Sequence, residues 1–181
     1  MKYNEDDVKI VKVADIHDPL FEKANQLFIN SFIEDERRNL QEVISQNKKF
    51  HLFAALYHNE FVAAITIWEL SNLIFAENEA ILQSNDTLWK IIFKKFFHIF
   101  PHKMIIIEVD RPIDDVAKNR IEFYKSIGYH LNTYEYIQPP YSLQKSPVPL
   151  YLMSYPMEIS QEKYSKIRDY IYEHVYNTPR S

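Results

Sequence analysis

Cysteine is absent from this chain of 181 residues. Disulfide frameworks, thiol nucleophiles, zinc ribbons and iron–sulfur ligation are thereby excluded. Glycine is almost absent, with a single residue where average usage gives roughly 12 or 13. One glycine cannot build a P-loop, a dinucleotide fingerprint or a G-x-S-x-G nucleophile elbow. A basic excess is also missing: the net charge is −4 and the pI near 6, which argues against a nucleic-acid partner. No apolar run is long enough to span a bilayer; the strongest, KIIFKKFFHIF at 90–100, is interrupted by lysines. The opening MKYNEDDVKI is acidic and lacks the apolar stretch of a signal peptide. No membrane partner is expected, and a cysteine-free chain suits a reducing cytoplasm.

What is present is an ordinary globular mixture, 46% apolar and 25% charged, with a high 15% of aromatics. Such a length can bury about 70% of its unfolded surface around one core, so residues 1–181 read as a single domain. VKIVKV at 8–13 alternates like a half-buried strand. Asp18 followed by Pro19 looks like an N-cap and first helical position, and Leu20, Ala24, Leu27, Phe28 and Phe32 continue with helical spacing. A second short helix is expected near 36–46. FHLFAALY at 50–57, FVAAITIWE at 61–69 and NLIFAENEAI at 72–81 read as a strand meander, with a tight turn at His58-Asn59-Glu60.

Ser84-Asn85-Asp86-Thr87 supplies N-cap residues before LWKIIFKKFFHIF, in which nine of thirteen residues are apolar. A helix so apolar needs cover on more than one side. Trp89, Phe93, Phe97 and Phe100 are expected to seek it from the C-terminal helix or from a second copy, making the protein a monomer or a homodimer. MIIIEV at 104–109 has the continuous apolar character of a central strand, so strand, capped helix and strand make a parallel βαβ crossover. A further helix over 114–127 stops at Gly128, where a left-handed C′ residue is cheap. Strands at 129–137 and 150–156 flank a loop with four prolines, 138–149. A helix over 158–176 closes the chain, with Tyr164, Ile167, Tyr170, Ile171 and Val175 on one face. The fold class is α+β: a mixed, mainly antiparallel sheet with flanking helices.

This order of elements, ending in IEFYKSIGY at 121–129, resembles the GNAT superfamily of acyl-CoA-dependent N-acetyltransferases. Phe123, Tyr124, Gly128 and Tyr129 match its F-Y-x-x-x-G-F/Y helix motif, and SFIEDERR at 31–38 is similar to a segment near the start of some bacterial members. The resemblance implies acetyl-CoA as cosubstrate, with an amine acceptor that is a small molecule or an amino terminus. It assigns Tyr124 to protonating the leaving thiolate, with Phe123 held in the core while Tyr124 points elsewhere; two aromatics packing a helix on a sheet would need no such role. The strand around Glu77–Ile81, including Ala80 and Ile81, would hold the pantetheine arm.

The family's pyrophosphate turn, Q/R-x-x-G-x-G/A, falls on Gln83, Ser84, Asn85, Asp86, Thr87 and Leu88. Gln83 fits, whereas Asp86 and Leu88 replace the small residues. The carboxylate of Asp86 stabilises a helix start but competes with a phosphate. An asparagine that often contacts pantetheine is Ala117 here. Arg120, one turn before Tyr124, could approach a phosphate or pair with a neighbouring acid.

An amine must lose a proton to attack a thioester, so a carboxylate or water relay is required. Glu69, Glu77 and Glu108 lie at or near ends of expected central strands, and Glu108, after three isoleucines, is the one most open to a shift by burial. Each could equally be a strand end reaching water. Tyr136, Pro139, Pro140 and Tyr141 could line an acceptor pocket or simply pack over the sheet edge. Acidic and aromatic residues near such a pocket would suit a cationic amine. The seven histidines form no metal pattern, since Pro101 separates His98 from His102, and no metal is expected. The alternative to an enzyme is a GNAT-fold protein that has lost CoA binding and serves as a non-catalytic binding or oligomeric module.

Overall fold

The computed structural model describes residues 3–178. Seven strands and five α-helices are found among them, the α+β class the sequence implied. They fall into two compact units, residues 3–33 with 37–103, and 34–36 with 104–178.

The first unit runs β1 (Val8–Val13), α1 (Pro19–Ser31), α2 (Leu40–Gln46), β2 (Phe50–Tyr57), β3 (Glu60–Glu69), β4 (Leu73–Ile81) and α3 (Asp86–Ile99). Its strands pair antiparallel in the order β1-β2-β3-β4. The β2–β3 hairpin turns through His58 and Asn59, both with positive φ (51° and 66°), the pattern of a two-residue turn whose twist matches its strands. Asp18 caps α1 as expected, its side chain accepting from the Leu20 amide. Helix α2 begins later than its expected start near residue 36. Asn39 caps it by accepting from the Glu42 amide, and Glu34–Glu36 forms a separate 3₁₀ turn.

Helix α3 buries Leu88, Ile92, Phe93 and Phe96, each contributing roughly 1.5–3 kcal/mol by leaving water. It lies against β1, and the rings of Phe96 and Phe100 meet Phe53 of β2 edge-on. The buried stripe therefore includes Phe96, while Trp89 and Phe97, two of the four aromatics expected to need cover, are half-buried. Helix α1 rests on β3 and β4, and α2 on β2.

The second unit contains β5 (Met104–Asp110), α4 (Asp115–Ser126), β6 (His130–Gln138), β7 (Val148–Tyr155) and α5 (Gln161–His174). Here the order is β5-β7-β6, again antiparallel. Ile105, Ile106 and Ile107 are all buried, as a continuous apolar run demands. Gly128 has φ +100° and a β-carbon there would stand 3.1 Å from the Tyr155 ring, so both its conformation and its bareness are used. Helix α5 is shorter than the expected 158–176. It is capped by Ser160 and packs Tyr164, Ile167 and Ile171 inward, with Tyr170 half-buried. Glu34–Glu36 joins this unit through the loop after β6: Gln138 Nε2 donates to the Asp35 carbonyl (3.2 Å), the Ser146 amide to Asp35 Oδ1 (3.1 Å), and Lys145 Nζ to the Glu34 carbonyl (2.6 Å).

Candidate functional site

In the first unit, the β3–β4 pairing is irregular at one point. It passes from Thr66 opposite Asn78 to Ile67 opposite Ala76, leaving Glu77 as the extra residue of a β-bulge. The Thr66 hydroxyl fills the gap in the ladder, accepting from the Asn78 amide at 3.1 Å and donating to the Asn78 carbonyl at 3.4 Å. Bulges re-aim side chains. This one sets Glu77, with 1% of its side chain exposed, into the wall of a cleft together with Thr66, Asn78, Arg37 and Arg38. Phe28 and Ile29 of α1 and Phe50 at the start of β2 form its apolar side.

A carboxylate this buried must be compensated. Glu77 Oε1 accepts from Arg38 Nε at 2.8 Å and from Trp68 Nε1 at 3.3 Å, and the Arg38 guanidinium lies 5.0 Å from the Trp68 ring centroid. The other oxygen, Oε2, is buried without a hydrogen-bond partner among the described residues. One half of the carboxylate is anchored; the other half faces no donor. Arg37 and Arg38 thus stand beside the Glu77 carboxylate in the wall of the cleft.

The other candidate carboxylates are differently placed. Glu69, half-exposed at the end of β3, accepts from Lys103 Nζ at 2.7 Å and lies 3.4 Å from His51 Nε2. The Lys103 hydrogen bond holds its carboxyl below the usual range. Glu108 Oε1, in the second unit, accepts from the Tyr136 hydroxyl in a short hydrogen bond and from the Tyr176 hydroxyl at 2.8 Å. Tyr136 is fully buried, and burial followed by the Glu108 charge pushes its phenol far up. Tyr141 stacks on Tyr176 with centroids 5.4 Å apart. Of the two readings left open for these aromatics, packing describes Tyr136 and Tyr141.

Tyr124 is buried at 5% exposure, edge-on to Tyr129, whereas Phe123 is half-buried. That reverses the expected inside–outside assignment. The helical period turns residue 124 onto the same face as the buried Ile121 and Ala117. Arg120 Nη1 lies 3.3 Å from Asp110 Oδ2, the acid-pairing alternative. Ahead of α3, Asn85 is the N-cap and its side chain accepts from the Leu88 amide at 3.0 Å; its carbonyl accepts from the Trp89 amide. The amides of Asp86 and Thr87 lie in the first turn, where the helix itself offers no acceptor. Gln83 and Ser84 are exposed in the turn, while Ala80 is buried and Ile81 half-buried at the end of β4. The arginines, Thr66 and Asn78 of the cleft were not singled out from the sequence. Two adjacent arginines after an acidic run were the one signal available for the first pair.

No family model and no curated protein matches the sequence. Solved structures do match. A candidate acetyltransferase of the GNAT family from Bacteroides thetaiotaomicron superposes with a TM-score of 0.83 at 26% identity, covering 94% of this chain and 98% of that one. The chain belongs to the GNAT superfamily. Two more distant GNAT structures share the fold. The ribosomal-protein-S18-alanine N-acetyltransferase from Escherichia coli has a TM-score of 0.55 at 13% identity, over 86% of this chain and 97% of that one. A GNAT acetyltransferase from Elizabethkingia anophelis, solved with acetyl-CoA bound, has a TM-score of 0.51 at 16% identity, over 85% and 99%. No helix among the described residues of this GNAT protein is long and apolar enough to cross a membrane.

Proposed function

We propose that this protein is an acetyl-CoA-dependent N-acetyltransferase in which Glu77 receives the proton lost by the acceptor amine. The observation that carries the assignment is the half-anchored carboxylate. Oε1 is fixed by Arg38 and Trp68, and Oε2 is buried in the cleft wall with no donor of its own. An ammonium entering the cleft supplies that donor. As the amine nitrogen bonds to the acetyl carbon and the carbon–sulfur bond breaks, the departing amine proton passes to Oε2, directly or through a water.

Acetyl-CoA supplies the acetyl group as an activated thioester. The fit of this chain to it rests on the start of α3. There the Asp86 and Thr87 amides, at the positive end of the helix dipole, suit a phosphate, and the Asp86 carboxylate opposes it. Ala80 and Ile81 would lie along the pantetheine arm, Gln83 and Ser84 beside the phosphates, and Tyr124 would return a proton to the thiolate. These roles come from the superfamily resemblance.

A second reading, a GNAT-fold module without CoA, is favoured by one feature: Asn85 satisfies the helix start internally, as a turn with no ligand would. Calorimetric titration separates the two. The enzyme reading expects saturable heat with acetyl-CoA, and Glu77→Gln should keep that binding while lowering acetyl transfer about 10²- to 10⁴-fold. No binding at millimolar acetyl-CoA overturns the enzyme; undiminished transfer by Glu77→Gln overturns the role of Glu77.

A further inference from the structure

Two side chains of β3, Thr66 and Trp68, stand two residues apart and so on the same face of the strand. They hold the bulge of β4 at two points. The Trp68 indole reaches the carboxylate of Glu77, donating to Oε1 at 3.3 Å. The Thr66 hydroxyl reaches the backbone of the next residue, accepting from the Asn78 amide at 3.1 Å and donating to the Asn78 carbonyl at 3.4 Å. Thr66 is buried at 2% exposure, where bulk water does not take over those bonds.

A hydroxyl carries one proton, and here that proton goes to the Asn78 carbonyl. Thr66 thus gives no donor to Glu77, whose Oε2 stays open to an amine. What the hydroxyl fixes is where residue 78, and with it residue 77, stands relative to β3. Arg38 and Trp68 steady the head of the Glu77 side chain only while its root stays in place. The indole contact, at 3.3 Å, is already long for its kind, so a small slip of β4 breaks it.

We propose that Thr66 is a positioning residue for proton transfer: its hydroxyl holds Asn78, and thereby keeps the Glu77 carboxylate anchored at Oε1 and open at Oε2. This rests on the role given to Glu77 above and adds a residue on which that role depends. Thr66 takes no proton itself.

The test uses Thr66→Val, which keeps the β-branched shape without the hydroxyl, and Thr66→Ser, which keeps the hydroxyl without the methyl. The first readout needs no substrate. The chain has two tryptophans, so a proton–nitrogen correlation spectrum of the whole protein shows both indole N–H groups, and Trp89→Phe identifies that of Trp68. Glu77→Gln marks where the Trp68 resonance lies without a charged acceptor. Thr66→Val should move the resonance most of the way to that position, and Thr66→Ser should leave it near the wild type. The second readout is turnover, followed as free CoA released from acetyl-CoA with phenethylamine, spermidine or trialanine as acceptor. With the best of these, Thr66→Val should lower kcat about 10- to 100-fold, as expected for a misplaced reacting group, with KM for acetyl-CoA little changed. Thr66→Ser should recover most of the loss.

A Trp68 resonance unmoved by Thr66→Val, a wild-type kcat in that variant, or a Thr66→Ser as impaired as Thr66→Val would overturn the proposal. Thr66→Ala is read in the same way should Thr66→Val not fold. Loss of folding in both, with Thr66→Ser normal, would assign the hydroxyl to the fold alone and overturn it too. Failure of the enzyme reading has a different signature, namely no acetyl-CoA binding by the wild type. In that case, or where none of the three amines is acetylated, the indole resonance still decides whether Thr66 positions the carboxylate.

Discussion

Replacing Arg38 by methionine removes the guanidinium while keeping most of its aliphatic stem, so the energetic effect falls on the Glu77 pair. Removing one partner from a buried ion pair costs about 3–5 kcal/mol, chiefly because the other charge is left without compensation. Glu77 meets that condition with a side chain 1% exposed; Arg38, at 16%, is partly open to water. The Trp68 indole N–H still reaches Oε1 at 3.3 Å and moderates the loss. About 3 kcal/mol is therefore the expected cost of the pair, and loss of the cation over the Trp68 ring adds about 0.5–1. For a chain of this length each kcal/mol lowers Tm by about 2–4 °C, so Arg38→Met should melt about 7–16 °C below the wild type. The informative variant is the double substitution Arg38→Met/Glu77→Met. With no carboxylate left to strand, it should return to within about 1 kcal/mol of the wild type. Urea unfolding of all four proteins, followed by far-ultraviolet circular dichroism, gives the coupling energy directly. A double variant less stable than Arg38→Met alone, or a single variant within about 1 kcal/mol of the wild type, would refute the argument that Glu77 is held by compensation.

Asp86→Gly removes a carboxylate from the first turn of α3. CoA affinity should rise about 5- to 100-fold while stability falls about 1 kcal/mol; unchanged affinity in a protein that binds CoA would place the phosphates elsewhere. Gly128→Ala puts a β-carbon 3.1 Å from the Tyr155 ring at φ +100° and should cost more than about 1 kcal/mol; a neutral result in chemical denaturation would contradict the fit described there. Glu36 has its carboxyl raised above the usual range, first by burial and then by Asp110. The folded state thus holds this proton to higher pH than the unfolded chain, and the stability so gained is lost as pH rises through the raised value. Glu36→Gln should accordingly melt above the wild type at neutral pH and equal it below the usual carboxylate range; an advantage that persists at acid pH would rule this out.

Much of the fold was legible because it is written locally. Asp18, Asn85 and Asp114 each precede a run of helical spacing, and each turns out to cap its helix. Gly128 could be placed because no other glycine competes for a positive φ. Glu77 was visible as a strand carboxylate in the sequence, but nothing local marks it as the extra residue of a bulge. That depends on the register of β4 against β3 and on the Thr66 hydroxyl, which only the paired strands bring together. The partner of Glu108 was equally hidden, because Tyr136 and Tyr176 reach it from 28 and 68 residues away. The most buried face of α3 was not readable, because so many of its residues are apolar. With little amphipathic contrast, the sequence could not say which ring, Phe96 or Phe97, is turned inward.

The bulge has a bearing on how such a protein could change. Residues inside a regular ladder answer to two demands at once, the pairing of their own strand and the packing of the face they occupy. Glu77 stands outside the β3–β4 register, and Thr66 completes the hydrogen bonding around it. The hairpin can therefore form the same way whatever side chain occupies position 77. Chemistry at the cleft and folding of the sheet become separately variable. A descendant could trade the carboxylate, together with Arg38, for another reactive or inert pair and retain the same scaffold beneath it.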